Sequence, residues 1–196
     1  MAFSYFHGFL VIAAYLLGSI PFGIQVASRR GVDIRKVGSG NTGATNVFRS
    51  VSPGAGVLVF ILDMAKCAIP VSIASYWGVP PLVVVFVGSA GVLGHIFSPF
   101  LRFKGGRGSA PALGFLLGIA PDIFLVTFIF VGLVISITRY VSVGSLCGTI
   151  LVSVLMFAMG KPDVYAWVAV VMTVIIWIRH IPNVRRLLAG KENKIW

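Results

Sequence analysis

The apolar positions of this 196-residue chain run in unbroken blocks, without the alternation of a strand or the spaced stripe of a half-buried helix. Blocks at about 3–27, 54–76, 79–98, 123–138, 142–160 and 163–179 approach or exceed the roughly 20 residues needed to cross a bilayer core. A shorter block, 110–119, ends at Ala120-Pro121-Asp122. Counting it, the pattern predicts seven helices, one of them short, in an all-α integral membrane bundle with an odd number of crossings. The first block starts near Phe3, runs uninterrupted to Ala27 and has no cation ahead of it, so it is expected to be a span and not a cleavable signal peptide.

Composition supports the membrane reading, with 58% of residues hydrophobic and only 11% charged. At this length the chain has room for a single transmembrane domain over 1–196 and none for a second. Cys67 and Cys147 lie in apolar surroundings without metal-ligand spacing, so they are expected to be small buried hydrophobes and neither a disulfide nor a zinc site.

Charge adds orientation. Arg29, Arg30, Arg35, Lys36 and Arg49 follow the first block; Arg102, Lys104 and Arg107 follow the third; Arg139 follows the fourth long block; Arg179, Arg185, Arg186, Lys191 and Lys194 close the chain. The loops of the other face hold only Lys161, and Lys66 lies within a span. Because lysine and arginine in short loops are retained in the cytoplasm, the N-terminus is expected outside and the C-terminus inside. The net charge of +11 has two readings, this topological signal with attraction to anionic head groups, and a positive cytoplasmic face that concentrates anionic substrates. It does not point to nucleic acid, because no aromatic residues interleave with the basic runs.

The polar segments on the predicted cytoplasmic side carry the candidate chemistry. The first, Gly38-Ser39-Gly40-Asn41-Thr42-Gly43-Ala44-Thr45-Asn46 with Arg49 beyond it, is denser in small polar groups than a helix connector requires. It is too polar for lipid and is expected to be a folded, partly re-entrant element. The second is Lys104-Gly105-Gly106-Arg107-Gly108. Glycine lets backbone N–H groups converge on an anion, and hydroxyls, amides and cations complete the cage, so both read as phosphate cradles. The alternative for the first is a solvated connector, and for the second a cationic anchor. Neither matches a Walker loop or a dinucleotide fingerprint.

Asp63 and Lys66 are three apart within a span and share a face, which is a structural ion pair or a lysine held toward a polar cavity. Arg139, Ser142 and Ser145 mark the entry to a later span, where Ser142 is placed to cap a helix. His180 and Asn183 share a face if the last helix continues, and Glu192 is the only glutamate. His95 reads as structural, and His7 lies away from the cations.

Taken together, the Gly38–Asn46 run, the Lys104–Gly108 loop, the Thr138-Arg139-Tyr140 turn with Ser142 and Ser145, and the closing His180, Asn183, Gly190 and Glu192 closely resemble the bacterial acyl-phosphate:glycerol-3-phosphate acyltransferases, PlsY. The resemblance runs in order over nearly the whole chain. It implies transfer of a fatty acyl group from acyl phosphate to position 1 of glycerol 3-phosphate, giving lysophosphatidate. It also implies a seven-helix bundle with an outside N-terminus, in the bacterial inner membrane with the active site on the cytoplasmic face. Where the family's second motif more often has lysine, valine and threonine, this chain has Arg107, Ser109 and Pro111; arginine keeps the charge, while Pro111 removes a hydroxyl.

On this resemblance Ser39, Asn41, Thr42, Thr45, Asn46 and Arg49 hold one phosphate, Lys104, Gly105, Gly106 and Arg107 the other, with Arg139, Ser145 and Glu192 also on substrate. Ser142, His180 and Asn183 orient the attacking hydroxyl. Which loop holds which substrate stays open, as does whether His180 or the substrate phosphate takes the proton. Acyl phosphate is a mixed anhydride with a good leaving group, so the work is to position two anions and stabilise an oxyanion. No cofactor, metal or obligatory protein partner is expected; the partners are the two phosphorylated substrates and membrane lipid. The histidine-to-aspartate spacing of the other large glycerolipid acyltransferase group is absent, since Ile12, Phe100 and Arg185 stand five places after the three histidines. A small organophosphate carrier is the competing class, but the chain has no evident internal repeat and its polar motifs gather on one face.

Overall fold

In the computed structural model, which describes residues 5–196, every regular element among the described residues is a helix. The predicted start of the first span, near Phe3, lies outside the described residues. The helices are α1 (Tyr5–Gly18), α2 (Phe22–Ser28), α3 (Ala44–Ser50), α4 (Pro53–Tyr76), α5 (Pro81–Ile96), α6 (Ser109–Ile119), α7 (Pro121–Thr138), α8 (Val141–Ala158) and α9 (Asp163–Leu188), with a 3-10 turn at Pro99–Leu101. Among the described residues, six segments are long and apolar enough to cross a membrane: Tyr5–Ser28, Pro53–Tyr76, Pro81–Leu101, Pro121–Thr138, Val141–Ala158 and Asp163–Leu188. Ser109–Ile119 is the shorter apolar helix.

Local chemistry explains the ends. Pro53, Pro81 and Pro121 open α4, α5 and α7, where a missing N–H costs nothing and the fixed φ suits a first turn. Ser52 caps α4, its Oγ accepting from the Ala55 N–H at 3.2 Å. Ser142, by contrast, does not cap α8: the residue before that helix is Tyr140, whose side chain makes no capping bond.

The first span is not the uninterrupted helix expected from its apolar run. It breaks between Gly18 and Phe22 because Pro21 has no N–H to give and biases Ile20 away from helical geometry. Two carbonyls leave the helix ladder there, and both find donors: Ser98 Oγ donates to Ser19 O at 2.7 Å and Lys66 Nζ to Ile20 O at 3.0 Å. Inside a membrane such a break survives only with partners of this kind. At the other end of the chain α9 runs past the predicted limit at 179, through Pro182 to Leu188. Cys67 is buried as expected, whereas Cys147 is only half-buried.

The chain divides into two compact units, Met1–Ile119 and Ala120–Trp196. In the first, α1 packs on α5 and α4 on α6. Both contacts are made close by glycine: a Cβ at Gly18 would strike the backbone of Gly91, and one at Gly114 the carbonyl of Met64. In the second, α8 packs on both α7 and α9. Thr173 Oγ1 ties α9 to α8 by donating to Thr149 O at 3.0 Å, and Trp177 Nε1 donates to Thr149 Oγ1 at 3.2 Å.

Candidate functional site

The first polar segment is organised by one amide. Asn46, on α3 and 2% exposed, turns its Nδ2 to three carbonyls, those of Ile34 (3.1 Å), Val37 (3.0 Å) and Asn41 (2.9 Å). Its Oδ1 accepts from the Ser39 N–H at 3.0 Å. Asn46 is thus committed to the loop itself. Beneath it, Ile34 and Val47 are fully buried with Val26, Ala27, Ala55 and Val59, a small apolar core that anchors the segment to α2 and α4. Gly38 lies at φ +57°, and a Cβ there would run into Asn46 Oδ1, so the turn admits only glycine.

The segment and the second glycine loop border one cleft of about 540 Å³ in the first unit. Asn41 and Thr42 line it from one side, Lys104 and Gly105 from the other, with Arg35, Arg102, Phe100 and Leu101 completing the wall. Arg102 and Phe103 adopt left-handed φ values of 51° and 62°, which turn the chain sharply between the 3-10 turn and Lys104. Two arginines and a lysine around one concave surface, with no carboxylate in the lining, make it electropositive.

Arg35 is also held from outside the cleft. Its Nε and Nη2 donate to Asp33 Oδ1 and Oδ2 at 2.9 and 3.1 Å, and the hydrogen bond from Arg35 holds the Asp33 carboxyl below its ordinary range despite a small opposing effect of burial. The pair is exposed and weak. Asp33→Asn is therefore expected to release Arg35 toward an anion and lower the KM of one phosphorylated substrate about twofold to threefold. Initial rates at varied substrate check this, and an unchanged KM for both substrates counts against Arg35 as a cleft residue.

Ser39, Thr45, Arg49 and Arg107 belong to the same two segments but do not line this cleft. Arg49 Nε donates to the Thr45 carbonyl at 3.3 Å. Gly106 is buried against His95 and so serves the loop's seating.

In the second unit the closing residues gather on Glu192. Its Oε1 accepts from Asn183 Nδ2 at 2.6 Å and from Ser142 Oγ at 3.1 Å, and its Oε2 accepts from Arg186 Nε at 2.6 Å. Burial pushes the Glu192 carboxyl up, but the bonds from Asn183, Arg186 and Ser142 together outweigh it and hold the group below the ordinary glutamate range. The tail reaches this position by a turn at Gly190 (φ +66°) and a bond from the Ile195 N–H to the Arg139 carbonyl at 2.8 Å. Arg139 itself is exposed at a left-handed corner, φ 64°. Ser145 is half-buried one turn along α8 from Ser142.

His180 and Asn183 are both buried on α9, as a continued helix requires. His180 Nδ1 faces the Ile176 carbonyl at 2.8 Å. A carbonyl only accepts, so Nδ1 carries a proton, and when the ring is neutral Nε2 is its acceptor nitrogen. Asn183 Oδ1 is buried and has no hydrogen-bond partner among the described residues, an acceptor suited to a hydroxyl donor.

A family model described as glycerol-3-phosphate acyltransferase matches residues 8–190. The chain belongs to this family. A glycerol-3-phosphate acyltransferase of Aquifex aeolicus is 45% identical over 188 residues, covering 95% of this chain and 97% of that one. One from Thermus thermophilus is 43% identical, covering 94% and 93%. Among solved structures, the glycerol 3-phosphate form of PlsY (YgiH), an integral membrane glycerol 3-phosphate acyltransferase, aligns with a TM-score of 0.92 at 44% identity, covering 96% of this chain and 94% of that one. Its lysophosphatidic acid form aligns at 0.90 and 43% identity, with the same coverage. The resemblance to PlsY read from the motifs is thereby shown.

Within this family fold the sequence reading missed Arg35 and Arg102 as cleft residues. It also missed the company kept by His95. Both arginines looked like topological cations, and only a folded loop distinguishes a cation beside a glycine cradle from one at a membrane boundary. The Asp63–Lys66 ion pair, common to both expected alternatives, forms at 2.6 Å with both side chains nearly fully buried. His95 Nδ1 lies 2.9 Å from Lys66 Nζ, a proximity across α4 and α5 that no local pattern signals.

Proposed function

We propose that the chain transfers a fatty acyl group from acyl phosphate to the 1-hydroxyl of glycerol 3-phosphate, yielding lysophosphatidate for phospholipid synthesis. The observation that carries this reading is the cleft, where Asn41, Thr42 and the glycines of two loops meet Arg35, Arg102 and Lys104 around a space sized for a phosphorylated small molecule. Membership of the glycerol-3-phosphate acyltransferase family supplies the reaction class.

The chemistry follows from the mixed anhydride. The glycerol hydroxyl attacks the acyl carbonyl, the carbonyl–phosphate bond breaks, and phosphate departs with little need of protonation. The enzyme's contribution is to hold the anions and stabilise the oxyanion with cations and N–H donors. The loops assigned to the phosphates are the Ser39–Arg49 segment and Lys104–Arg107. Ser142, His180 and Asn183 are assigned to the attacking hydroxyl, which Asn183 Oδ1 suits as an acceptor. The hydroxyl proton passes either to His180 Nε2 or to the substrate's own phosphate. Direct transfer without an acyl-enzyme is part of this reading: the carboxylate beside Ser142 Oγ, Glu192, already accepts from Asn183 and Arg186, which weakens it as a base.

The reading places one transmembrane acyltransferase domain in the bacterial inner membrane, crossing seven times with α6 as the short crossing, N-terminus outside and the acting face cytoplasmic. Its support is the cation asymmetry of the loops. Purified protein in detergent, given palmitoyl phosphate and labelled glycerol 3-phosphate, is expected to form lysophosphatidate, and palmitoyl-CoA is expected to give none. In sealed vesicles only those exposing the cytoplasmic face should turn over added glycerol 3-phosphate. A His180→Ala variant retaining most turnover assigns the proton to phosphate. Uptake of unaltered glycerol 3-phosphate without product would replace the enzyme by a carrier.

A further inference from the structure

Three buried groups take no part in the reaction described above: Asp63 and Lys66 on α4, and His95 near the end of α5. Stability does not account for them, since a buried ion pair is often matched or bettered by apolar side chains of similar volume. Charged residues within a span instead mark a job for the site nearby.

Counting donors fixes what the cluster does. The Lys66 ammonium has three protons and three acceptors around it: Asp63 Oδ1 at 2.6 Å, His95 Nδ1 at 2.9 Å and the Ile20 carbonyl at 3.0 Å. An ammonium cannot accept, so His95 Nδ1 must, and the ring's single proton resides on Nε2. A second proton on the ring would point at Lys66. Asp63 Oδ1, 3.6 Å from the same nitrogen, holds the ammonium in place.

Nε2 faces the second glycine loop. A Cβ built at Gly106 would strike His95 Nε2 before any other atom, and one built at Gly105 would strike the His95 carbonyl. The N–H groups of Gly106 and Gly105 donate to the carbonyls of His95 and Ile96 at 3.1 and 3.0 Å. The loop that presents Lys104 to the cleft therefore sits on His95, backbone on backbone and glycine on ring. A second space, about 10 Å³ and the size of one water by the usual measure, is bordered by Asp63, His95, Thr42 and Leu101. Thr42 and Leu101 also border the cleft, so cluster and cleft share a wall.

We propose that Asp63 and Lys66 hold His95 as a neutral Nε2–H donor beneath Gly105-Gly106, and that His95 is thereby a positioning residue for the phosphate held at the cleft. The inference rests on the acyltransferase reading only for its kinetic arm. The tautomer is read directly by ¹⁵N NMR of histidine-labelled protein in detergent at pH 7.5, with His95 assigned by its loss in His95→Gln. An unprotonated Nδ1 beside a protonated Nε2 is expected; a protonated Nδ1, in a neutral or a charged ring, overturns the proposal.

For the kinetics, His95→Gln keeps an N–H near the Nε2 position and is expected to hold both KM values within threefold. His95→Leu is expected to raise the KM of one phosphorylated substrate at least tenfold while kcat stays within threefold and the thermal midpoint within a few degrees. Gly106→Ala, which crowds Nε2 without removing it, should show the same KM-selective defect and serves if the leucine variant fails to fold. Unchanged KM values in folded His95→Leu, or equal losses in the glutamine and leucine variants with lowered midpoints, overturn the positioning role. If wild-type protein shows no turnover, the acyltransferase reading fails separately, and the same fold-changes are sought in glycerol 3-phosphate affinity by titration.

Discussion

Asn46→Asp, which exchanges one NH2 for one oxygen, is expected to lower kcat/KM about a thousandfold, equivalent to roughly 4 kcal/mol of lost transition-state stabilisation. The reason is the number of carbonyls that this one amide serves. Nδ2 lies 2.9–3.1 Å from those of Asn41, Val37 and Ile34, and a carboxylate oxygen in its place would face three acceptors with no donor between them. Ionised, it is a buried charge repelled by its surroundings; protonated, its one O–H satisfies one carbonyl of three. Each unmade bond at such a site costs about 1–3 kcal/mol.

The loss is expected to appear in the cleft and not in the spans. Asn41 and Thr42 line the cleft through the turn that Asn46 ties, whereas α4, α5 and α6 hold one another by close glycine contacts elsewhere. The variant should therefore retain its helical circular dichroism while KM for one phosphorylated substrate rises beyond the measurable range. Asn46→Ala, which removes the donors without adding an acceptor, is expected to fall between, at about a hundredfold. An Asn46→Asp enzyme within tenfold of wild type would show that the turn is held by other means, with the apolar anchor at Ile34 and Val47 the first candidate.

Asn46 also shows how far the chain could be read before folding. The composition of the Gly38–Asn46 run suggested a phosphate cradle or a solvated connector, and the structure sets a cation-lined cleft beside it. Composition does not say which polar group faces the ligand and which faces the loop: Asn41 and Asn46 are the same residue type five places apart, one lining the cleft and the other consumed by backbone. The apolar blocks were legible because a bilayer demands long uninterrupted runs. The break at Pro21 was not, since its consequence depends on Lys66 and Ser98, which are far along the chain and supply donors to the released carbonyls. The extension of α9 through Pro182 was legible only as a condition, the one under which His180 and Asn183 share a face; part of the tail polarity that ends the apolar run is spent on Glu192. His95 was the largest omission. Read alone it is a histidine at a span end, and its tautomer and its contact with Gly106 exist only once α4, α5 and the second loop are together.

The same distinction between charge and geometry governs Glu192, where Glu192→Gln is expected to lower kcat/KM about a hundredfold, or roughly 3 kcal/mol. Three donors converge on this carboxylate: Asn183 Nδ2, Ser142 Oγ and Arg186 Nε. A glutamine has one acceptor oxygen. Placed toward Asn183 and Ser142, it turns its NH2 against Arg186; reversed, it turns its NH2 against the amide of Asn183. Either way one donor faces another in a site where the side chain is 4% exposed. Asn183 then swings, and with it the Oδ1 acceptor assigned to the hydroxyl. The defect is expected mainly in kcat, because the cleft cations proposed to hold phosphate are unaltered. Acid should reproduce it only at low pH. A carboxyl whose folded pKa lies below its ordinary 4.5 contributes stability that is present above that value and lost as pH falls through the lower folded value. Between pH 5 and 8, Glu192 should therefore add no slope to the thermal midpoint of the wild-type enzyme. Below about pH 4.5 the wild-type midpoint should decline more steeply than that of Glu192→Gln, whose side chain has no proton to gain. Parallel midpoint curves for the two proteins down to pH 3, with kcat within threefold at neutral pH, would mean that the three donors find other acceptors and that Glu192 does not hold Asn183 in place.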